Sequence, residues 1–96
     1  MKKHSMINKQ QTGITLNNDT VLDYSLIITD RKETDIFDNE NVYSVLILQI
    51  EGGVTTEYDF LYDIARDEEN AVAIFDVLVY NNVMPGNARD VLADIL

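Results

Sequence analysis

The feature that most constrains this chain is a nine-residue apolar run, residues 42–50 (VYSVLILQI), closely followed by Gly52 and Gly53. Seven of the nine residues are Val, Ile, Leu or Tyr, mostly types that fit a pleated, buried surface. Two adjacent glycines after such a run predict a tight hairpin, because glycine tolerates the positive φ that the turn needs. We therefore predict that residues 42–50 form the central strand of an antiparallel sheet.

Two further segments alternate between apolar and polar residues, as half-buried strands do. They are residues 20–29 (TVLDYSLIIT) and residues 54–64 (VTTEYDFLYDI). In the second segment one row is predicted to face the core and a row of three acids to face water. The core row is Val54, Thr56, Tyr58, Phe60, Tyr62 and Ile64, and the acidic row is Glu57, Asp59 and Asp63.

After these strands the spacing of the apolar residues changes from alternation to the three- and four-residue spacing of a helix. Residues 67–69 (DEE) supply a cap and acids for a first turn, which predicts a helix from residue 68 to about residue 81. Pro85 prevents continuation of that helix, and residues 87–96 predict a second, short helix. The predicted fold class is α+β, with a three-stranded antiparallel β-meander followed by two C-terminal helices packed on one face of the sheet.

The length of 96 residues fits one domain, because each of two domains in so short a chain would bury too little apolar surface to be stable. We assign this domain to residues 20–96. Residues 1–19 are polar, and we expect them to form a mobile N-terminal segment with at most a short strand over residues 14–16.

The charge of the chain is unevenly distributed. Residues 1–18 hold three lysines and no acid, whereas residues 19–96 hold 17 acids against four basic residues, a net charge of −13. A body this acidic repels phosphate backbones, so we expect no nucleic-acid partner. Solubility is the expected reason for the acidity, and attraction to a basic protein or mimicry of a nucleic acid are the alternatives.

No motif for chemistry is found in the sequence. The chain has no cysteine, and its single histidine, His4, has no neighbouring partner in sequence. The acidic connection over residues 30–41 lacks the glycine of a calcium loop, and Ile36 and Phe37 within it are expected to anchor it to the core. Glu57, Asp59 and Asp63 lie on the face expected to be wet, which disfavours the shifted pKa values that acid–base catalysis needs. We therefore expect no enzyme activity, no metal and no cofactor.

Location follows from two absences in the sequence. The N-terminal lysines are not followed by the apolar stretch of a signal peptide, and no apolar run approaches the roughly 20 residues of a membrane helix. The absence of cysteine suits a reducing compartment. We expect a cytoplasmic protein with no membrane contact.

The register of the hairpin decides which residues share a face. A two-residue turn at the glycines pairs Val45 with Phe60, whereas a turn that includes Glu51 brings Leu46 and Leu48 to the aromatic face. A slip of one residue exchanges the two faces of a strand, and both registers remain open.

Two helices can cover only one face of such a sheet, so an apolar face is left over. We expect a second copy of the chain to cover it, as a homodimer, or alternatively the N-terminal segment with Ile14 and Leu16. The predicted function is a non-enzymatic protein-interaction or regulatory module that self-associates. The alternative is an acidic nucleic-acid mimic or an inhibitor of a basic partner. The candidate surfaces are the apolar residues Leu46, Leu48, Ile50 and Leu61, and an acidic rim of Glu57, Asp59 and Asp63.

Three stretches carry a resemblance to a known family: DYSLIITD, EYDFLYDIARDEENAV and NNVMPGNARDVLADIL. With them, residues 20–96 resemble an uncharacterised domain-of-unknown-function family of small acidic bacterial proteins from clostridia-like Firmicutes. The family's Val-x-Pro break and its Asp-Val-x-x-Asp-x-Leu ending are matched by Val83, Pro85, Asp90, Val91, Asp94 and Leu96. The resemblance implies a fold and a bacterial, intracellular setting, and it implies no chemistry.

Overall fold

The computed structural model describes the backbone of residues 5–15, 19–30 and 41–95. Side chains are described for residues 19–29 and 41–95. His4, Leu16 and the expected anchor of Ile36 and Phe37 lie outside the described residues. The elements in chain order are β1 (Ser5–Thr15), β2 (Thr20–Asp30), β3 (Asn41–Glu51), β4 (Val54–Leu61), α1 (Glu68–Tyr80), a 3-10 turn (Pro85–Asn87) and α2 (Ala88–Ile95).

The strands form one antiparallel sheet in the order β1-β2-β3-β4. The last three strands are the predicted meander, and the two C-terminal helices contact the sheet. The predicted α+β class is therefore confirmed, and β3 is a central strand as expected.

Strand β1 is the element that the sequence analysis underestimated. A short strand over residues 14–16 was the most we expected, whereas the structure has an eleven-residue strand paired with β2. The pairing is irregular between Ile7 and Lys9 and again between Gln11 and Ile14. Polar residues without a period of two carry no strand signal of their own, so backbone pairing with β2 supplies what the pattern lacks. The mobility of residues 1–19 stays a prediction.

The core lies between the sheet and the helices. Strand β2 contributes the row that alternation predicted, and the facing row of β3 and one residue of β4 join it beneath α1. These buried residues are Leu22, Tyr24, Leu26, Ile28, Tyr43, Val45, Ile47, Leu61, Ala71, Ile74, Phe75 and Leu78. Each large side chain among them contributes about 1.5–3 kcal/mol on burial, so this layer is the main source of stability.

Helix α1 begins and ends at polar side chains. Asp67 is its N-cap, with Oδ1 accepting the N–H of Asn70 at 2.8 Å. At the other end the Asn81 side chain donates to the Val77 carbonyl at 2.8 Å, and Asn82 turns the chain away with a φ of 52°. The predicted helix over residues 68–81 is thus confirmed to within one residue.

The β3–β4 hairpin combines a tight turn with a bulge. Gly52 and Gly53 have φ values of 60° and 83°, and Glu51 pairs with Val54 as a two-residue turn requires. After Ile50 pairs with Thr55, Gln49 pairs with Glu57. Thr56 is therefore an extra residue on β4, and such a bulge reverses which face each later residue of the strand occupies.

Because of the bulge, the prediction of which β4 residues face the core is wrong for the residues after Thr56. Phe60 pairs with Leu46 and Tyr58 with Leu48, on the side of the sheet away from the helices. Asp59 pairs with Ile47 on the helix side. The row expected in the core is exposed from residue 54 to residue 60 and again at residue 62, and only its last member, Ile64, is buried.

Candidate functional site

The side of the sheet that faces away from the helices is the candidate site, and we call it the open face. It follows from the strand registers that this face receives alternate residues of β2, β3 and β4. They are Val21, Asp23, Ser25, Ile27 and Thr29 from β2, Val42, Ser44, Leu46, Leu48 and Ile50 from β3, and Thr55, Tyr58 and Phe60 from β4. Tyr62, just beyond β4, lies beside Phe60 with ring centroids 6.3 Å apart.

Three aromatic side chains form a ridge along one margin of the open face. Tyr58 is 69% exposed, Phe60 39% and Tyr62 65%. Single exposed apolar residues are ordinary on a protein surface, but three consecutive members of one row form a contiguous patch. We call these three residues the aromatic ridge.

The residues beside the ridge continue the apolar surface. Leu46 and Leu48 are the cross-strand partners of Phe60 and Tyr58, and both are only half-buried. Ser25 lies across from Leu46 on β2, and Ser44 precedes it by two residues on β3. Ser25, Ser44 and Val42 are only 8%, 1% and 2% exposed, so the accessible apolar part of this face on β3 and β4 is the ridge together with Leu46, Leu48 and Ile50.

Charge is sparse on this face. Among the residues whose side chains the structure describes, Asp23 is the one acidic or basic residue that the strand registers put on the open face. The acids of β4 point the other way. Removing this surface from water would therefore bury little charge, which is a property of surfaces that become interfaces.

The structure divides the predicted site residues between the two faces. Leu46, Leu48 and Ile50 lie together on the open face, as grouped from the sequence. Leu61 does not join them, because it is 1% exposed within the core. The bulge at Thr56 is the reason, since it turns Leu61 toward the helices.

The predicted acidic rim is not assembled around the open face. Glu57 and Asp59 lie on the helix side of β4, because they pair with Gln49 and Ile47. Asp63 is exposed beyond the strand, with a φ of 59°. The members of the rim are therefore separated from the apolar residues with which the sequence grouped them.

Sequence reasoning missed the aromatic ridge because alternation alone assigns it to the core. The signal that could have found it was the second hairpin register. That register brings Leu46 and Leu48 to the aromatic face, which is the face the bulge selects.

Arg89 of α2 ties the helical layer to β4. Its Nη2 atom lies 3.2 Å from Oδ1 of Asp59 and donates to the Phe60 carbonyl at 3.3 Å. Strand β4 is an edge strand, and edge strands expose backbone groups that can pair with another chain. Arg89 satisfies one backbone carbonyl, that of Phe60, and so restricts pairing near the C-terminal end of this edge.

Tyr24 is the buried titratable residue at the centre of the core. Its hydroxyl donates to the Val83 carbonyl at 2.9 Å, and burial raises its pKa from 10.0 to about 12. It lies beneath α1 with its ring edge-on to Phe75. Tyr24 is thus packed within the core and does not line a cleft, so its raised pKa reflects a structural role.

The described part of the chain offers neither a cluster of metal ligands nor a helix suited to a membrane. Within residues 5–15, 19–30 and 41–95 no three His, Cys, Asp or Glu side chains converge closely enough to hold a metal ion. Over the same residues no helix is both long and apolar enough to cross a membrane.

The fold and the open face define a small α+β protein whose antiparallel sheet carries helices on one side and an exposed aromatic ridge on the other. The chain belongs to the family of unknown function DUF6514, whose model matches residues 3–96. The match reaches further than the stretches quoted above and includes β1. No curated protein and no solved structure matches the chain.

Proposed function

We propose that this protein is a non-enzymatic protein-interaction module that self-associates through the open face. The observation that carries the proposal is the aromatic ridge, Tyr58, Phe60 and Tyr62, exposed beside the half-buried row of β3. Large aromatic side chains dominate the energetics of interfaces because each buries a wide area at a small entropic cost.

The shape of the open face suits a second copy of the same chain. The ridge stands along β4, and the half-buried Leu46, Leu48 and Ile50 lie beside it on β3. In a two-fold symmetric dimer the same patch serves both subunits, so each ridge can pack against the half-buried β3 row of its partner.

The plan area of the four-stranded sheet is of the same order as a standard dimer interface. Four strands about 4.8 Å apart, each about ten residues long at about 3.3 Å per residue, give roughly 600 Å² in plan. A standard interface buries about 800 Å² of accessible surface per partner, and accessible area exceeds plan area where rings protrude.

The net charge of −10 predicts how salt affects this association. Two copies with this net charge repel each other, and added salt screens that repulsion. The dimer should therefore become tighter as the salt concentration rises. The proposal includes a cytoplasmic location, which the absence of cysteine favours.

The alternative function is an acidic mimic of nucleic acid, or an inhibitor of a basic partner. Its support is the charge of the folded body, because residues 41–95 hold ten acids against two arginines. This alternative predicts the opposite salt dependence, since binding of a basic partner weakens as salt screens the attraction.

The experiment is the molar mass in solution, by light scattering on a sizing column at low and at high salt. Wild type is compared with Tyr58→Lys on the ridge and with Tyr80→Lys on α1, a matched change at another exposed tyrosine. We expect wild type and Tyr80→Lys to be dimers and Tyr58→Lys to be a monomer. A monomeric wild type at high salt would refute self-association, and a Tyr58→Lys dimer as tight as wild type would refute the open face as its site.

A further inference from the structure

Helix α1 is apolar on more sides than the sheet can cover. Over residues 71–80 (AVAIFDVLVY) Asp76 is the one charged or strongly polar residue. A helix that is apolar all round is normally buried on all sides. Here only the side facing the sheet is fully buried, so α1 has an outer apolar side.

The outer side of α1 has helical spacing of its own. Ala73, Val77 and Tyr80 are at positions i, i+4 and i+7, and all three are exposed. Val77 is 38% exposed and Tyr80 86%. Residues at this spacing lie on one face of a helix, so they form a stripe along α1.

A groove runs beside this stripe, with a cavity volume of about 830 Å³. We call it the α1 groove. Its apolar wall is Ala73, Ile74 and Val77 from α1 together with Ile95 from α2, and Ile95 is 39% exposed. From Ala73 to Tyr80 the stripe is about 10 Å long at about 1.5 Å per residue, which is the span of helix anchors at positions i to i+7.

The groove ends at an acidic segment. Asp63 and Asp67 line it at the β4–α1 connection, and Glu68 and Glu69 follow in the first turn of α1. Arg66 is the one basic residue among the lining residues that the structure describes. Acidic residues therefore outnumber basic ones at this end, which favours a partner of positive charge.

We propose that the α1 groove binds a basic amphipathic helix of another protein. The apolar side of that helix packs against Ala73, Val77 and Ile95, and its lysines or arginines extend toward Asp63 and Asp67. An amphipathic helix in a groove is a common mode of recognition, with anchors at positions i, i+3, i+4 and i+7. The inference rests on the proposed role as an interaction module and uses a different surface, so a dimer would offer two grooves.

The test uses a labelled 14-residue peptide with leucines at positions i, i+3, i+4 and i+7 and lysines elsewhere. A second peptide has glutamates in place of the lysines. Binding to the full chain is followed by fluorescence anisotropy at low and at high salt. We expect the lysine peptide to bind, more weakly as salt rises, and the glutamate peptide not to bind.

Two matched substitutions locate the binding. Val77→Lys removes an apolar contact and adds a positive charge in the groove, and we expect the affinity for the lysine peptide to fall at least tenfold. Val54→Lys makes the same change at an exposed valine of the hairpin, outside the groove, and should leave the affinity within twofold. Circular dichroism of both variants checks that the fold is kept.

Several outcomes would overturn the inference. They are equal binding of both peptides, an unchanged affinity in Val77→Lys, or binding only after Ile36 and Phe37 are replaced by serine. The last result would mean that the chain's own connection occupies the groove. Failure of the proposed function is separate, because Tyr58→Lys tests the dimer and should still bind the peptide, whereas Val77→Lys should remain a dimer.

Discussion

The substitution Tyr24→Phe tests how the sheet is joined to the helical layer. Tyr24 is fully buried, and its hydroxyl donates to the Val83 carbonyl at 2.9 Å, 59 residues further along the chain. The ring also meets Phe75 edge-on, with centroids 6.5 Å apart. Phenylalanine keeps the ring and its packing, so the variant removes one hydroxyl and one hydrogen bond.

At neutral pH the variant should be less stable by about 1–3 kcal/mol. This is the cost of leaving a buried hydrogen-bonding group without its partner, and here the group is the Val83 carbonyl. The control is Tyr58→Phe, which removes the hydroxyl of an exposed tyrosine. Its stability should stay within about 0.5 kcal/mol of wild type.

Alkaline pH gives the same residue a second, independent signature. Burial raises the pKa of Tyr24 from 10.0 to about 12 in the folded protein. As the pH rises, Tyr24 therefore loses its phenol proton in the unfolded chain before it does so in the folded protein. The free energy of unfolding that depends on the neutral phenol is fully present below pH 10 and is lost as the pH rises toward 12. At about 1.4 kcal/mol per pH unit the loss is about 3 kcal/mol over this window.

The measurement is urea unfolding followed by circular dichroism at pH 7, 9, 10, 11 and 12, at one protein concentration because a dimer's stability depends on it. We expect Tyr24→Phe to be less stable at pH 7 and the difference from wild type to shrink above pH 10. Equal stability of the two proteins at pH 7 would refute the role of the hydrogen bond. A difference that stays constant up to pH 12 would refute the raised pKa as a source of stability.

Two further predictions concern local structure and are checked by the same unfolding measurement. Asp67→Ala should lower the stability by about 1 kcal/mol because the α1 N-cap is lost, and Asp67→Asn should retain most of it. Gly53→Ala should lower the stability by about 1 kcal/mol, because the φ of 83° is strained for alanine although the site has space. Gly86→Ala, which has space and no positive φ, should be close to neutral; equal effects of the two glycine changes would contradict this explanation.

The parts of the fold that local chemistry determines could be predicted from the sequence. Strand β2 places most of its large apolar residues on one face, and α1 begins after Asp67 and has two glutamates in its first turn, as predicted. Strand β1 could not be predicted, because its residues lack alternation and its pairing depends on β2. Of the candidate site residues, Leu46, Leu48 and Ile50 share one face of the sheet, and their role in binding stays a prediction.

The orientation of β3 could not be read from its own residues, since both of its faces are apolar. The orientation is determined by β2, which concentrates its large apolar side chains on one face, whereas Asp23, Ser25 and Thr29 lie on the other. In the pairing of β2 with β3, Leu26 is the cross-strand partner of Val45, and Tyr24 is that of Ile47. The helices therefore cover this row, and Leu46 is left on the open face.

The bulge at Thr56 then determines the character of the surface that remains. With an unbroken two-residue register, Phe60 would pair with Val45 and the aromatic row would lie beneath the helices. One extra residue instead turns Phe60 outward and brings Asp59 to the helix side, where Arg89 binds it. The chain thus exposes aromatic side chains that another register would bury. Places where a chain leaves apolar side chains exposed that it could have buried are often functional sites. The bulge at Thr56 therefore supports the proposed role of the aromatic ridge in binding.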